Sequence, residues 1–131
     1  MNRYPKSDKL VAIALVASVA VSGCARQNKD EKEADKITRA VIANDVRPVE
    51  NDFAAAPRQK MTRVSVARLS DELNALGTYK GVKEDTPSGS LAGMHTFTVT
   101  FDKETWHESM MVDSGGKISA WKITPSTATS Q

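Results

Sequence analysis

Three apolar rhythms follow one another along this chain of 131 residues. From Leu10 to Val21 the apolar residues are almost continuous. From residue 31 to 43 they fall into helical steps, with Ala34, Ile37, Ala40 and Val41 on one face and Asp35 four residues before Arg39 as a supporting ion pair. Asn44-Asp45 ends that helix, and Arg47-Pro48 turns the backbone away from it. Pro48 suits the first position of a short second helix, with Val49 and Phe53 on one face, which Pro57 interrupts. A third helix is the clearest. Thr62 is placed to cap it, Val66, Leu69, Leu73 and Leu76 form its stripe, and Gly77 supplies a left-handed stop.

After Gly77 the period falls from helical to two. Residues 78–84 predict a weak strand with a bulge at Gly81. Residues 94–101 predict a strong one, Phe97, Val99 and Phe101 alternating with Thr96, Thr98 and Thr100. Residues 106–112 and 117–124 predict two more, separated by Asp113-Ser114-Gly115-Gly116. A two-residue loop at Lys103-Glu104 pairs Phe101 with Trp106, Val99 with Glu108 and Phe97 with Met110, which gathers the large apolar residues on one face. The last hairpin has two readings. A Gly115-Gly116 loop turns Trp121 and Ile123 inward. A three-residue loop with a glycine bulge turns Ile118, Ala120 and Lys122 inward and sets Lys122 opposite Glu108. Helices first and an antiparallel meander after them predict an α+β domain, the helices packed on one face of a curved antiparallel sheet of about four strands.

The first segment carries a different message. Arg3, Lys6 and Lys9 against Asp8 precede the apolar run, and small residues close it, as in a secretory signal. The run from Leu10 to Gly23 has fourteen residues, whereas a span of the hydrocarbon core takes about 20, so the pattern fits a cleaved signal rather than a retained helix. Val21-Ser22-Gly23-Cys24 resembles the lipobox of bacterial lipoproteins; the alternative is an ordinary signal peptide with a chance cysteine. The resemblance implies cleavage before Cys24 and acyl chains, such as palmitate, on that residue. Each buried methylene contributes roughly 0.8 kcal/mol, so two or more chains hold a protein on a membrane. It also implies the bacterial cell envelope. Because Ala25 rather than an aspartate follows the cysteine, it implies the outer membrane, facing the periplasm. With Cys24 acylated, no thiol remains for redox or nucleophilic chemistry.

This organisation changes the charge picture. The net charge of +2 resides in the signal; without Arg3, Lys6, Lys9 and Asp8, 15 basic and 15 acidic residues remain. A neutral mature chain with few aromatics sets up no field for nucleic acid. Residues 24–33 read as anchor and tether, 34–124 as one domain and 125–131 as a disordered tail.

The run Met61-Thr62, Leu69, Leu73-Asn74-Ala75-Leu76-Gly77-Thr78-Tyr79-Lys80-Gly81, then Phe97-Thr98-Val99-Thr100-Phe101-Asp102-Lys103 and Val112-Asp113-Ser114-Gly115-Gly116-Lys117-Ile118, carries a second resemblance. It is similar to a small bacterial family of unknown function in the nuclear transport factor 2-like superfamily. The resemblance spans roughly residues 34–124 and implies a cone of helices against a bent antiparallel sheet. Its motifs belong to the fold and bring no catalytic residue. Ketosteroid isomerases of that superfamily use a Tyr and Asp pair; Tyr79 is the only tyrosine after the signal, and its neighbours in sequence match no such site.

Glu108 is the sharpest chemical candidate, a carboxylate on an otherwise apolar face, where burial raises a pKa and permits acid–base work or ligand binding. The bland reading is an ion pair, with Lys122 as partner in the bulged register. His95 falls on the same face about four pairs away, and His107 on the polar face with Ser109 and Met111. Trp106, Met110, Tyr79 and His95 join Glu108 as candidate ligand contacts. Methionines such as Met94 and Met110 more often fill a core than line a groove. Two histidines and scattered carboxylates form no metal-ligand spacing, and no phosphate loop, nucleophile elbow or cofactor fingerprint is present. The expectation is therefore a lipoprotein with a non-enzymatic domain, needing no cofactor, that holds a small apolar ligand or presents its sheet to a partner, a second copy included. An acid–base enzyme using Glu108 and an envelope-assembly or stress accessory protein are the alternatives.

Overall fold

The computed structural model describes residues 28–85 and 92–126; the segment read as a signal, and Cys24 with it, lies outside the described residues. α1 (Lys29–Ile42) starts earlier than the hydrophobic pattern indicates, because Asn28 caps it and Asp30 and Glu31 occupy its first turn. The side chain of Asn28 accepts from the Glu31 N–H at 2.7 Å, and two first-turn acids suit the positive end of the helix. Residues 29 and 30, read from sequence as tether ahead of a helix over 31–43, are thus helix. The face of α1 that meets the sheet is Ala34, Ile37, Thr38 and Val41, all buried.

The segment expected as a second helix splits in two. A 3-10 turn covers Glu50–Asp52 and α2 covers Ala55–Lys60. Pro57 lies inside α2 instead of ending it. It occupies the third helical position, where a backbone N–H has no partner within the helix, so a proline is tolerated. α3 (Arg63–Asn74) has its predicted cap, Thr62 Oγ1 accepting from the Ser65 N–H at 3.2 Å. Gly77 follows at φ +86.

The sheet is a four-stranded antiparallel meander in the order β1-β2-β3-β4, formed by β1 (Tyr79–Glu84), β2 (Met94–Phe101), β3 (Thr105–Val112) and β4 (Ile118–Pro125). The α+β class expected from the sequence is the one observed. β1 carries the expected bulge, its register shifting between Tyr79 and Gly81. Pro125 belongs to β4 rather than to the tail, and residues 127–131 lie outside the described residues.

The β2–β3 register differs from expectation by two residues. Val99 faces Trp106, Phe97 faces Glu108 and His95 faces Met110. A slip of two keeps every side chain on its face, so the pattern of inward residues survives. Its cause is a turn of the same length set one residue earlier, on Asp102-Lys103, which docks against the end of α3. Phe101 N–H donates to the Glu104 carbonyl at 3.0 Å, Asp102 N–H to that of Thr78 at 3.1 Å, and Lys103 N–H to that of Leu76 at 3.1 Å. The loop therefore fastens the end of α3 to the hairpin. On β4 both readings hold in part. Glu108 faces Ile123 and Met110 faces Trp121, as the two-residue loop requires. A bulge between Ala120 and Ile118 then turns Ile118 inward as well. Lys122 is exposed and faces Ser109, so it is not the partner of Glu108.

The core lies between α1, α3 and the inner sheet face, with Ile37, Val49, Leu73, Phe97 and Val99 fully buried. No helix among the described residues is long and apolar enough to cross a membrane.

Gly77 offers a local test. A Cβ there would come within 2.8 Å of Asp102 Cβ, at a φ of +86 that L-residues rarely adopt. Asp102 Oδ2 accepts the Thr78 N–H at 2.8 Å and cannot move freely. Gly77→Ala is expected to cost about 1–3 kcal/mol, from backbone strain plus the displaced loop. Gly116→Ala, at φ +78 in open space, should cost only the strain. Equal thermal melts for the two variants would refute the clash.

Candidate functional site

Glu108 stands mid-strand on β3, and α1 closes over it. It has no exposed surface. Both carboxylate oxygens accept hydrogen bonds. Trp121 Nε1–H of β4 donates to Oε1 at 2.6 Å, and Thr38 Oγ1–H of α1 donates to Oε2 at 3.0 Å. Burial pushes the Glu108 pKa up to about 7; the two donors pull it back, and the nearby Asp35 charge adds to the rise. The sequence placed this carboxylate on the apolar face. It missed the partners, because Thr38 reads as an ordinary helix residue and Trp121 depended on an open register.

Trp121 has a second role. Its indole forms one wall of a groove of about 220 Å³ between α1, α2, α3 and β4. Val41, Phe53, Met61, Val66 and Leu69 supply the other apolar walls, with Lys60 and Ser65 contributing polar atoms. Glu108 lies behind the indole and does not line the groove.

The remaining candidates do not converge there. Trp106 is buried on the inner face, its Nε1–H donating to Glu104 Oε2 at 3.1 Å, and Met110 is fully buried beside Ile118 and Val112. Tyr79 is half-buried, and its hydroxyl donates to Asp35 Oδ1 at 2.6 Å. Asp35 Oδ2 also accepts from Arg39 Nε at 2.8 Å, and the Arg39 guanidinium lies 4.9 Å from the Tyr79 ring centre. Burial, then the Asp35 hydrogen bond, drive the Tyr79 pKa above its ordinary value. This is a Tyr–Asp pair, but the phenolic proton is committed to an arginine-paired carboxylate and is not presented to a ligand.

His95 is nearer to Glu108 than expected, its strand neighbour Phe97 being the residue that faces Glu108. Its ring turns elsewhere. His95 Nδ1 lies 2.8 Å from Glu84 Oε1 and 3.6 Å from Asp30 Oδ2. The ligand atoms of Asp30, Glu84 and His95 all fall within 4.8 Å of one another. No spacing in the sequence announces this cluster, because α1, β1 and β2 each contribute one residue. His107 is exposed on the outer face, with Ser109 and Met111 half-covered beside it.

The chain matches no protein-family model, no curated protein and no solved structure.

Proposed function

We propose that this chain is a lipid-anchored envelope lipoprotein, acylated on Cys24 and held at the outer membrane facing the periplasm, whose domain is a non-enzymatic binding module of the nuclear transport factor 2-like kind. In this reading the groove against Trp121 takes a small apolar molecule. The observation that carries it is the groove itself: about 220 Å³, walled mainly by apolar side chains. Cavities of ~150 Å³ lined by such residues already bind single-ring compounds. The acid–base alternative would need a substrate to reach Glu108. That carboxylate is sealed behind Trp121, with both oxygens already accepting, and Tyr79 donates inward to Asp35. Both facts favour binding over chemistry.

A second reading has its own support. The outer sheet face carries exposed Thr96, His107, Ala120 and Lys122, a surface on which a second copy or an envelope partner can dock.

Native mass spectrometry of the full chain released from mild detergent tests these readings. The expected spectrum is a monomer plus a small discrete mass, and Trp121→Ala should lower that occupancy at least tenfold while Glu108→Gln leaves it unchanged. A clean dimer without added mass would replace the ligand reading with the sheet-face one. A bare monomer would favour an accessory protein acting by contact with an envelope partner.

A further inference from the structure

We infer that Asp30, Glu84 and His95 form a binding site for a divalent transition-metal ion, with zinc the ion that best fits the donors. One imidazole nitrogen and two carboxylate oxygens come from the first turn of α1, the end of β1 and the start of β2. Ligands of one zinc ion bind at about 2.0–2.2 Å, which sets tetrahedral neighbours roughly 3.3 Å apart. The two separations from His95 Nδ1, 2.8 Å to Glu84 and 3.6 Å to Asp30, bracket that value. Small side-chain rotations suffice to admit an ion. Imidazole selects first-row transition metals over magnesium and calcium, which prefer all-oxygen cages. Three protein ligands leave a fourth position for water or a ligand.

The surroundings orient the donors. Asn28 Nδ2–H donates to Glu84 Oε2, which leaves Oε1 turned toward His95. The Glu84 N–H donates to Glu31 Oε1 at 2.9 Å. Asn28 meanwhile caps α1 through its other amide atom, so one residue fixes both the helix end and the carboxylate. Such outer contacts hold metal ligands in place. Charge points the same way. Among the described residues no Lys or Arg nitrogen lies within 4.0 Å of either carboxylate, so two acidic side chains sit close together without a fixed cation. A divalent cation would neutralise them. The side chains are 22–34% exposed, so an ion can enter from solvent without the domain opening.

The test uses the full chain in mild detergent with Cys24→Ser, which removes the one competing thiol. Zinc is titrated in competition with a chromophoric chelator. The expected result is one ion per chain, at least tenfold weaker binding in His95→Ala, and unchanged binding in His107→Ala, which alters the other histidine. No zinc uptake, or equal uptake by the parent and His95→Ala, would overturn the proposal. If His95→Ala loses its native circular dichroism, Asp30→Asn replaces it with the same tenfold expectation, since Asp30 lies at a partly exposed helix start. Zinc should also raise the melting temperature of the parent and not that of the variant.

Discussion

Glu108→Gln is expected to be more stable than the parent at pH 8 and equal to it at pH 4. In the folded protein the carboxyl pKa is raised from 4.5 to about 7. The folded state therefore holds this proton more tightly than the unfolded chain. Between those two values the native state binds more protons, so stability falls as pH rises. The favourable contribution is complete below the unfolded pKa and is lost as pH passes the folded one. At about 1.36 kcal/mol per pH unit the window spans on the order of 3 kcal/mol. Glutamine keeps an oxygen for Trp121 Nε1–H and presents an N–H to Thr38 Oγ1, which can accept it. It removes the buried charge without opening a cavity. Urea melts of both proteins at pH 4, 6 and 8 would measure the effect. The difference between the curves cancels carboxylates common to both, such as Asp45 and Asp102, whose pKa values are lowered by Arg47 and by the Thr78 N–H. A constant difference across that range would sink the claim.

Phe97→Ala is expected to do the most damage of any single truncation. Phe97 is fully buried at the centre of β2, facing Glu84 on β1 and Glu108 on β3. Removing its ring costs roughly 3–5 kcal/mol in lost burial and cavity formation. Domains of this size have about 5–15 kcal/mol in all. The melting temperature should fall by about 12–40 °C, given roughly 4–8 °C per kcal/mol. Phe97→Leu, which retains most of the volume, should cost about 1 kcal/mol. A melting temperature for Phe97→Ala within 5 °C of the parent's, on the order of 1 kcal/mol, would mean that the helices, and not this strand, set the stability.

These two residues also mark how much could be read in advance. The alternation through Phe97, Val99 and Phe101 needs only the two-residue period of a half-buried strand, and it located β2 to the residue. Thr62 and Gly77 likewise bound α3 by local chemistry, a side-chain cap and a left-handed stop. What failed was set by distant contacts. The β2–β3 turn takes its position from the carbonyls of Leu76 and Thr78, about 25 residues upstream. The start of α1 depends on Asn28, which the apolar stripe does not reach. At the candidate site, Glu108 stood out as a charge in an apolar row. Trp121 and Thr38 gain their roles from packing alone. The Asp30–Glu84–His95 cluster joins three elements with no local signature, so only the folded chain assembles it.

The bulges at Tyr79–Gly81 and Ala120–Ile118 fall on β1 and β4, the two outer strands of the meander. A flat outer strand offers a row of free N–H and C=O groups to any neighbouring chain. Here each row is broken by an extra residue, and exposed Lys80, Lys83 and Lys122 stand along the two strands. Phe53 bridges Ile118, and the Ala54 N–H donates to the Ile118 carbonyl at 2.9 Å, which covers the beginning of β4. Strand-to-strand polymerisation is the hazard such free rows create. The two irregularities act against it, so that growth of the sheet into a filament is opposed at both of its edges.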